Sequence, residues 1–101
     1  MATAVQVYEL DLMLTKVVEI ETANGFKLKV RFNDGTGGVH DFAKLVAEGG
    51  PMIEPLRDKA FFKRVFIEHG APTWPNGFDI APEWLHGEMA AARELHHDAA
   101  E

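Results

Sequence analysis

Several residue types and patterns are missing from this sequence of 101 residues, and each absence narrows its function. It contains no cysteine, which excludes disulfides, cysteine-ligated zinc and thiol catalysis. It contains no serine, and its threonines lie in no nucleophile-elbow context. No apolar run approaches the roughly 20 residues that span a bilayer. The N-terminal stretch carries Glu9 and Asp11 where a secretory signal would be apolar, so we predict a cytoplasmic protein without membrane contact.

Motifs that bind metals or cofactors are also missing. The histidines form no paired motif such as HExxH, and a site composed of His40, His69 and Asp79 would need the fold to bring these residues together. The glycine-rich stretch at 33–38 matches neither a P-loop nor a dinucleotide-binding fingerprint. We therefore predict no catalytic residue, no metal and no cofactor. A small-molecule or metal-dependent enzyme is the least favoured of the functions considered.

The chain has fewer basic than acidic residues, and its charges are unevenly distributed along the sequence. The formal net charge is −6, whereas a protein that binds nucleic acid is usually basic. Residues 22–64 are net basic, and the segments on both sides are acidic. A nucleic-acid partner is therefore disfavoured, and any such contact would be confined to the middle of the chain.

The clearest pattern that is present is the alternation in "FKLKVRF", residues 26–32. A period of two over seven residues predicts a strand with one buried and one solvated face. The buried face would carry Phe26, Leu28, Val30 and Phe32, and the solvated face Lys27, Lys29 and Arg31. The basic face has two interpretations: the solvent face of an antiparallel sheet, which we favour, or an anion contact in a nucleic-acid-associated accessory domain.

The neighbouring segments predict an α+β fold. "VVEIE" at 17–21 precedes an Asn-Gly hairpin signal, and "VHDF" at 39–42 follows the glycine-rich turn, so about 17–42 reads as an antiparallel β-meander. Residues 65–74 read as a second β-hairpin. Short helices are predicted near 58–65, with Asp58 as N-cap, and near 82–97, with Pro82 in the first helical position.

The stretch "TWPNGFDIAPEWL", residues 73–85, contains both tryptophans of the chain. One interpretation is an interaction surface, because tryptophan is enriched at binding hot spots; its members would be Trp74, Pro75, Asn76, Asp79 and Trp84. The other makes the two indoles large parts of a small core, with Asp79 hydrogen-bonded to the backbone of the turn. We favour the structural interpretation.

Three motifs together resemble a known family. "FNDG..GVHDF", "PLRDKAFF" and "WPNGFDIAPEWL" are similar to the domain of unknown function 2442, over about residues 13–87. Residues 1–12 are then an N-terminal extension, either a tail or a strand that needs a partner, and residues 88–101 are a C-terminal helical tail. The resemblance implies a bacterial α+β domain without established activity. Some relatives are encoded beside a second small protein, an arrangement similar to toxin–antitoxin pairs.

These observations favour a small interaction or regulatory module, the antitoxin-like or accessory member of a two-protein system. We predict an unidentified protein partner. We also predict a homodimer, because an open sheet leaves edges and because the apolar stripe of the C-terminal segment has no obvious place in so small a domain.

Overall fold

The computed structural model describes residues 14–97, which form an antiparallel sheet with a hairpin and short helices packed against it. The four-stranded sheet has the order β1-β2-β3-β6, and β4 and β5 form a separate two-stranded sheet. The strands are β1 (Val17–Thr22), β2 (Lys27–Phe32), β3 (Thr36–Asp41), β4 (Phe66–Glu68), β5 (Ala71–Thr73) and β6 (His96–His97). The helices are α1 (Ala43–Glu48), α2 (Lys59–Phe62) and α3 (Pro82–Ala91), with a 3₁₀ turn at Glu54–Arg57. The predicted α+β class, the meander and the second hairpin are confirmed.

The β2 strand divides its side chains as the alternation predicts. Leu28, Val30 and Phe32 are buried, and Phe26 packs edge-on against the ring of Phe62, with ring centroids 5.3 Å apart. Gly25 in the first turn adopts a positive φ of 64°, a conformation that glycine reaches without steric cost. The apolar face of the meander is therefore one wall of the core.

The second hairpin is joined to the meander at the β1 edge. The backbone N–H of Val17 donates to the carbonyl of Gly70, at 2.8 Å, in the turn between β4 and β5. A bulge in β1 follows immediately, between Val17 and Glu19. Bulges bend a strand and increase its twist, so β1 leaves the hairpin and continues into the meander.

The segment between the two sheets is held by polar contacts at its helix ends. Asp58 caps α2 as predicted, since its side chain accepts a hydrogen bond of 3.0 Å from the N–H of Ala60. The guanidinium of Arg57 donates to the carbonyls of Val46 and Ala47, both at 3.3 Å, at the end of α1. These carbonyls belong to the last turn, which lacks partners within the helix. The helix predicted near 58–65 is confirmed but ends earlier, at Phe62.

The helix predicted near 82–97 begins at Pro82 and ends at Ala91, so the prediction of a helical tail is wrong for residues 92–97. Arg93 adopts a positive φ of 61°. Its N–H bonds the Ala90 carbonyl at 3.1 Å, and the N–H of Glu94 bonds the Met89 carbonyl at 2.8 Å. This pair of bonds is the Schellman motif, which terminates a helix and usually has glycine where Arg93 stands here.

After that turn the chain returns to the sheet. His96 and His97 of β6 pair with Gly37 and Thr36 of β3. Gly38 lies so close to the backbone carbonyl of Glu94 that a β-carbon there would overlap it. The C-terminal end of the described chain is therefore a sheet strand. Residues 1–13, which include the whole predicted N-terminal extension, and residues 98–101, the end of the predicted helical tail, lie outside the described residues.

The buried face of α3 closes the core. Leu85 and Met89 are fully buried and belong to the same cluster as Leu28 and Phe32. The apolar stripe of this segment therefore has its place within the chain, and it no longer argues for a homodimer. Within residues 14–97, no helix combines the length and the apolar character needed to cross a membrane.

Candidate interaction surface

Trp74 is the largest fully buried side chain of the described residues. It is 1% exposed, and its indole Nε1–H donates to the backbone carbonyl of Phe62, at 2.9 Å. The rings of Phe62 and Phe78 both pack against it, with centroids 5.6 and 5.7 Å from that of Trp74. The structural interpretation is confirmed for this residue, and its assignment to an interaction surface is wrong.

The turn after Trp74 is held by Asn76. Its Oδ1 accepts from the N–H of Phe78 at 3.2 Å, and its Nδ2 donates to the Met52 carbonyl at 3.0 Å. The first bond spans two residues, which is the Asx arrangement that stabilises turns. The turn-capping role predicted for Asp79 is therefore filled by Asn76. Asp79 is exposed and shares a shallow cleft of about 400 Å³ with Glu68 and His69.

Trp84 does not enter the core with Trp74. It is 45% exposed, because α3 turns Leu85 and Met89 inward and leaves Trp84 on another side of the helix. The core prediction is wrong for this indole. Pro75 is also exposed. A contact role for Pro75, Asp79 and Trp84 stays a prediction.

The basic residues of β2 lie on the sheet face opposite the core, as predicted. Each is aligned with an acidic residue on a neighbouring strand. The aligned pairs are Arg31 with Glu19, Lys29 with Glu21, and Lys27 with Asp41. Directly opposed residues share a face, and opposite charges in such pairs stabilise a sheet. This pattern favours the solvent-face interpretation over an anion contact.

One of these pairs is a bidentate ion pair. Arg31 Nε and Nη2 donate to the two carboxylate oxygens of Glu19, at 3.0 and 2.7 Å. The hydrogen bond from Arg31 and then its positive charge hold the pKa of the Glu19 carboxyl below its ordinary range. The planar guanidinium matches a carboxylate in this geometry, so Arg31 is committed to its own sheet.

We call the side of β1, β2 and β3 that carries the three charge pairs the outer sheet face. Exposed apolar side chains also lie here: Val18 and Val39 on the face itself, and Phe66 at its border. Val18 and Val39 are each 44% exposed and Phe66 is 40% exposed. Val18 and Phe66 line a groove of about 840 Å³ together with Lys29, Gly37 and His96.

The groove exists because of local backbone choices. Gly37 stands opposite Arg31 on this face, where a β-carbon would lie 2.6 Å from the Val30 carbonyl oxygen, so β3 has no side chain at that point. The β1 bulge lies opposite, at Val17–Glu19. The alternation of "VHDF" places Val39 on this face, whereas nothing in the sequence signals that Phe66 borders it.

A known protein family matches most of this chain. A family model described as protein of unknown function DUF2442 matches residues 17–88. The chain belongs to the DUF2442 family. Neither the curated proteins nor the solved structures contain a match. The suspected resemblance is confirmed. The DUF2442 match spans the whole meander, the hairpin and most of α3, and it ends before β6.

Two histidines of this DUF2442 domain are paired with acids. His40 Nδ1 lies 2.7 Å from Glu94 Oε1, and His86 Nε2 lies 2.9 Å from Asp34 Oδ2. The hypothetical site of His40 with His69 and Asp79 does not form, because His40 is paired with Glu94 while the other two line the shallow cleft. Among residues 14–97, no group of three histidine, aspartate or glutamate side chains is arranged to hold a metal ion.

Asp34 links the β2–β3 turn of the DUF2442 domain to α3. Burial alone would raise the pKa of its carboxyl, but hydrogen bonds from the hydroxyl and backbone N–H of Thr36 and from His86 outweigh it, and the pKa lies below its ordinary range. A carboxyl with a lowered folded-state pKa stabilises the fold above its unfolded-state pKa, and this contribution is lost as the pH falls through the folded-state value.

The Asp34→Asn variant tests this linkage. It keeps an acceptor for Thr36 but removes the charge opposite His86. Because the pair is half exposed, we expect the free energy of unfolding at pH 7 to fall by only about 0.2–1 kcal/mol. The difference from the wild type should shrink once the pH drops below about 4. Urea denaturation of both proteins at pH 7 and pH 3 measures it, and an equal difference at the two pH values would contradict the assignment.

Proposed function

We propose that this chain is a small interaction module that binds a protein partner through the outer sheet face. The observation that carries the proposal is that this face exposes Val18, Val39 and Phe66 and that Val18 and Phe66 line its groove. Exposed apolar residues scattered singly are ordinary, whereas an apolar patch rimmed by polar groups is typical of interaction sites. The charge pairs lie beside these apolar residues and supply the polar part of the face.

A more specific role, the antitoxin-like or accessory member of a two-protein bacterial system, is part of the same proposal. Its support is the family resemblance together with the lack of a catalytic or cofactor motif in the sequence. A nucleic-acid-associated role for Lys27, Lys29 and Arg31 has less support, because an acid lies opposite each base and would oppose phosphate binding.

A capture experiment with two variants tests the proposal. Val39→Glu places a charge on the outer sheet face, opposite Lys29, without touching the core. Tagged wild type and variant, produced at native level in the cell that naturally makes the chain, would be cross-linked and purified. We expect the variant to recover about tenfold less of the partner, since losing one apolar contact of an interface can cost about 1–2 kcal/mol.

The matched control is Met52→Glu, which introduces the same charge at a methionine that is 46% exposed. Met52 lies in the loop that contacts Asn76 and does not line the groove of the outer sheet face. Capture should be unchanged. Circular dichroism would establish that both variants are folded. Equal capture by wild type and Val39→Glu, or equal loss in both variants, would refute binding through this face.

A further inference from the structure

The charges of the outer sheet face are arranged in two columns. Glu19 and Glu21 of β1 form an acidic column, and Lys27, Lys29 and Arg31 of β2 form a basic column beside it. Side chains at alternate positions of a strand project from the same face, so each column presents one sign of charge along its length.

This face is neutral on an acidic molecule. The β1, β2 and β3 strands place three acids on this face, Glu19, Glu21 and, on the far side of β2, Asp41, together with three bases, so the formal charge of −6 belongs entirely to the rest of the chain. Two copies of the chain repel each other through their net charge. They meet with least repulsion where each presents a neutral surface.

The two columns also make the face complementary to itself. Consider a two-fold axis that runs parallel to the strands, midway between the two facing sheets and above the line between β1 and β2. Rotation about this axis places the acidic column of each copy over the basic column of the other. Packed sheets lie about 10 Å apart, a distance that facing lysine and glutamate side chains span. A closed pair in which both copies use the same patch is the commonest form of oligomer.

The apolar residues obey the same symmetry. The strand order across the face is β1, β2, β3. The β4 strand contacts β1, which has no other strand of the four-stranded sheet on that edge, and Phe66 lines the groove together with Val18. Rotation about the axis between β1 and β2 therefore places β3 of one copy over β4 of the other. Val39 of one copy comes to lie over Phe66 of the other, and these two side chains are 44% and 40% exposed.

We propose that the outer sheet face is covered by a second copy of this chain, related by that two-fold axis. The inference rests on the proposed function, because it names the protein that occupies the same face. It specifies which residues meet across the interface, and the buried apolar stripe of α3 takes no part in it.

Charge reversal at one cross-strand pair tests the inference. Glu21→Lys makes both columns basic at that level, and Lys29→Glu makes both acidic. In a dimer of either single variant, positions 21 and 29 carry like charges that face each other across the interface. We expect the dimer dissociation constant to rise about tenfold or more. An equimolar mixture of the two variants should form the heterodimer. The double variant Glu21→Lys/Lys29→Glu exchanges the columns, retains the cross-strand pair, and should dimerise like the wild type.

Sedimentation equilibrium over about 1–200 µM, a range that brackets micromolar self-association, gives the mass of each protein, and circular dichroism gives its fold. A monomeric wild type throughout, or single variants that dimerise like the wild type, overturns the inference. If the wild type is monomeric while Val39→Glu still abolishes capture of another protein, the inference fails and the proposed function stands. If Val39→Glu changes neither the mass nor the capture, both fail.

Discussion

Trp74→Ala is expected to reduce the free energy of unfolding by about 3–5 kcal/mol. The indole is 1% exposed, and its removal leaves a cavity beside Phe62 and Phe78 and deletes the hydrogen bond to the Phe62 carbonyl. A domain of this size is stable by roughly 5–15 kcal/mol, so the variant should lose a large share of its stability. Chemical denaturation at 25 °C measures the change.

Trp84→Ala is the matched control, because it removes the same side chain from a position that is 45% exposed. Its cost should be much smaller, since surface substitutions usually stay within about 0.5 kcal/mol. A third variant, Trp74→Phe, keeps most of the ring and removes the N–H donor, which should cost about 1–3 kcal/mol if the Phe62 carbonyl stays buried. Similar costs for Trp74→Ala and Trp84→Ala would show that the two indoles are equivalent and would contradict the packing described above.

Gly38→Ala is expected to destabilise the protein by about 1–3 kcal/mol, the usual cost of forcing an added methyl group into a packed site. The new β-carbon would overlap the backbone carbonyl of Glu94, which a side-chain rotation cannot move. The chain around Glu94 must therefore shift, and the pairing of β3 with His96 and His97 should be lost. Hydrogen exchange of the backbone amides should become faster in residues 94–97, with little change in β1 and β2.

Gly87→Ala makes the same chemical change at an open position. Gly87 lies within α3, and a β-carbon there meets nothing within 4 Å. Alanine is favoured over glycine in a helix by about 0.5–1 kcal/mol, so this variant should be stabilised. If Gly38→Ala were as stable as the wild type, the C-terminal strand would not lie against β3 as described.

The parts of the fold that could be predicted from the sequence are those set by local chemistry. The alternation of β2 fixed its faces, because one residue of slip would expose Leu28 and Val30. Asp58 was recognised as a helix cap because a carboxylate immediately before a helix pairs with its free N–H groups. The end of α3 was missed for the same kind of reason, since the residue in the left-handed conformation is Arg93 and the usual glycine signal is absent.

The candidate surface was harder to predict, since it depends on which segments meet. The basic residues of β2 were assigned to the correct face, but their acidic partners come from β1 and β3, and the register of three strands decides which acid faces which base. Trp74 and Trp84 have similar sequence surroundings, yet one is buried and the other exposed. The difference arises from the direction of α3, which no local pattern encodes.

The position of β6 in the sheet has a consequence for the order in which the chain folds. The β1, β2 and β3 strands are connected by short turns and lose little chain entropy on pairing, whereas joining Gly37 to His96 closes a loop of most of the domain. Contacts made after such a closure belong to the late stages of folding. A change at Gly38 should then accelerate unfolding and leave the refolding rate nearly unaltered. The C-terminal strand would therefore determine the lifetime of the native state.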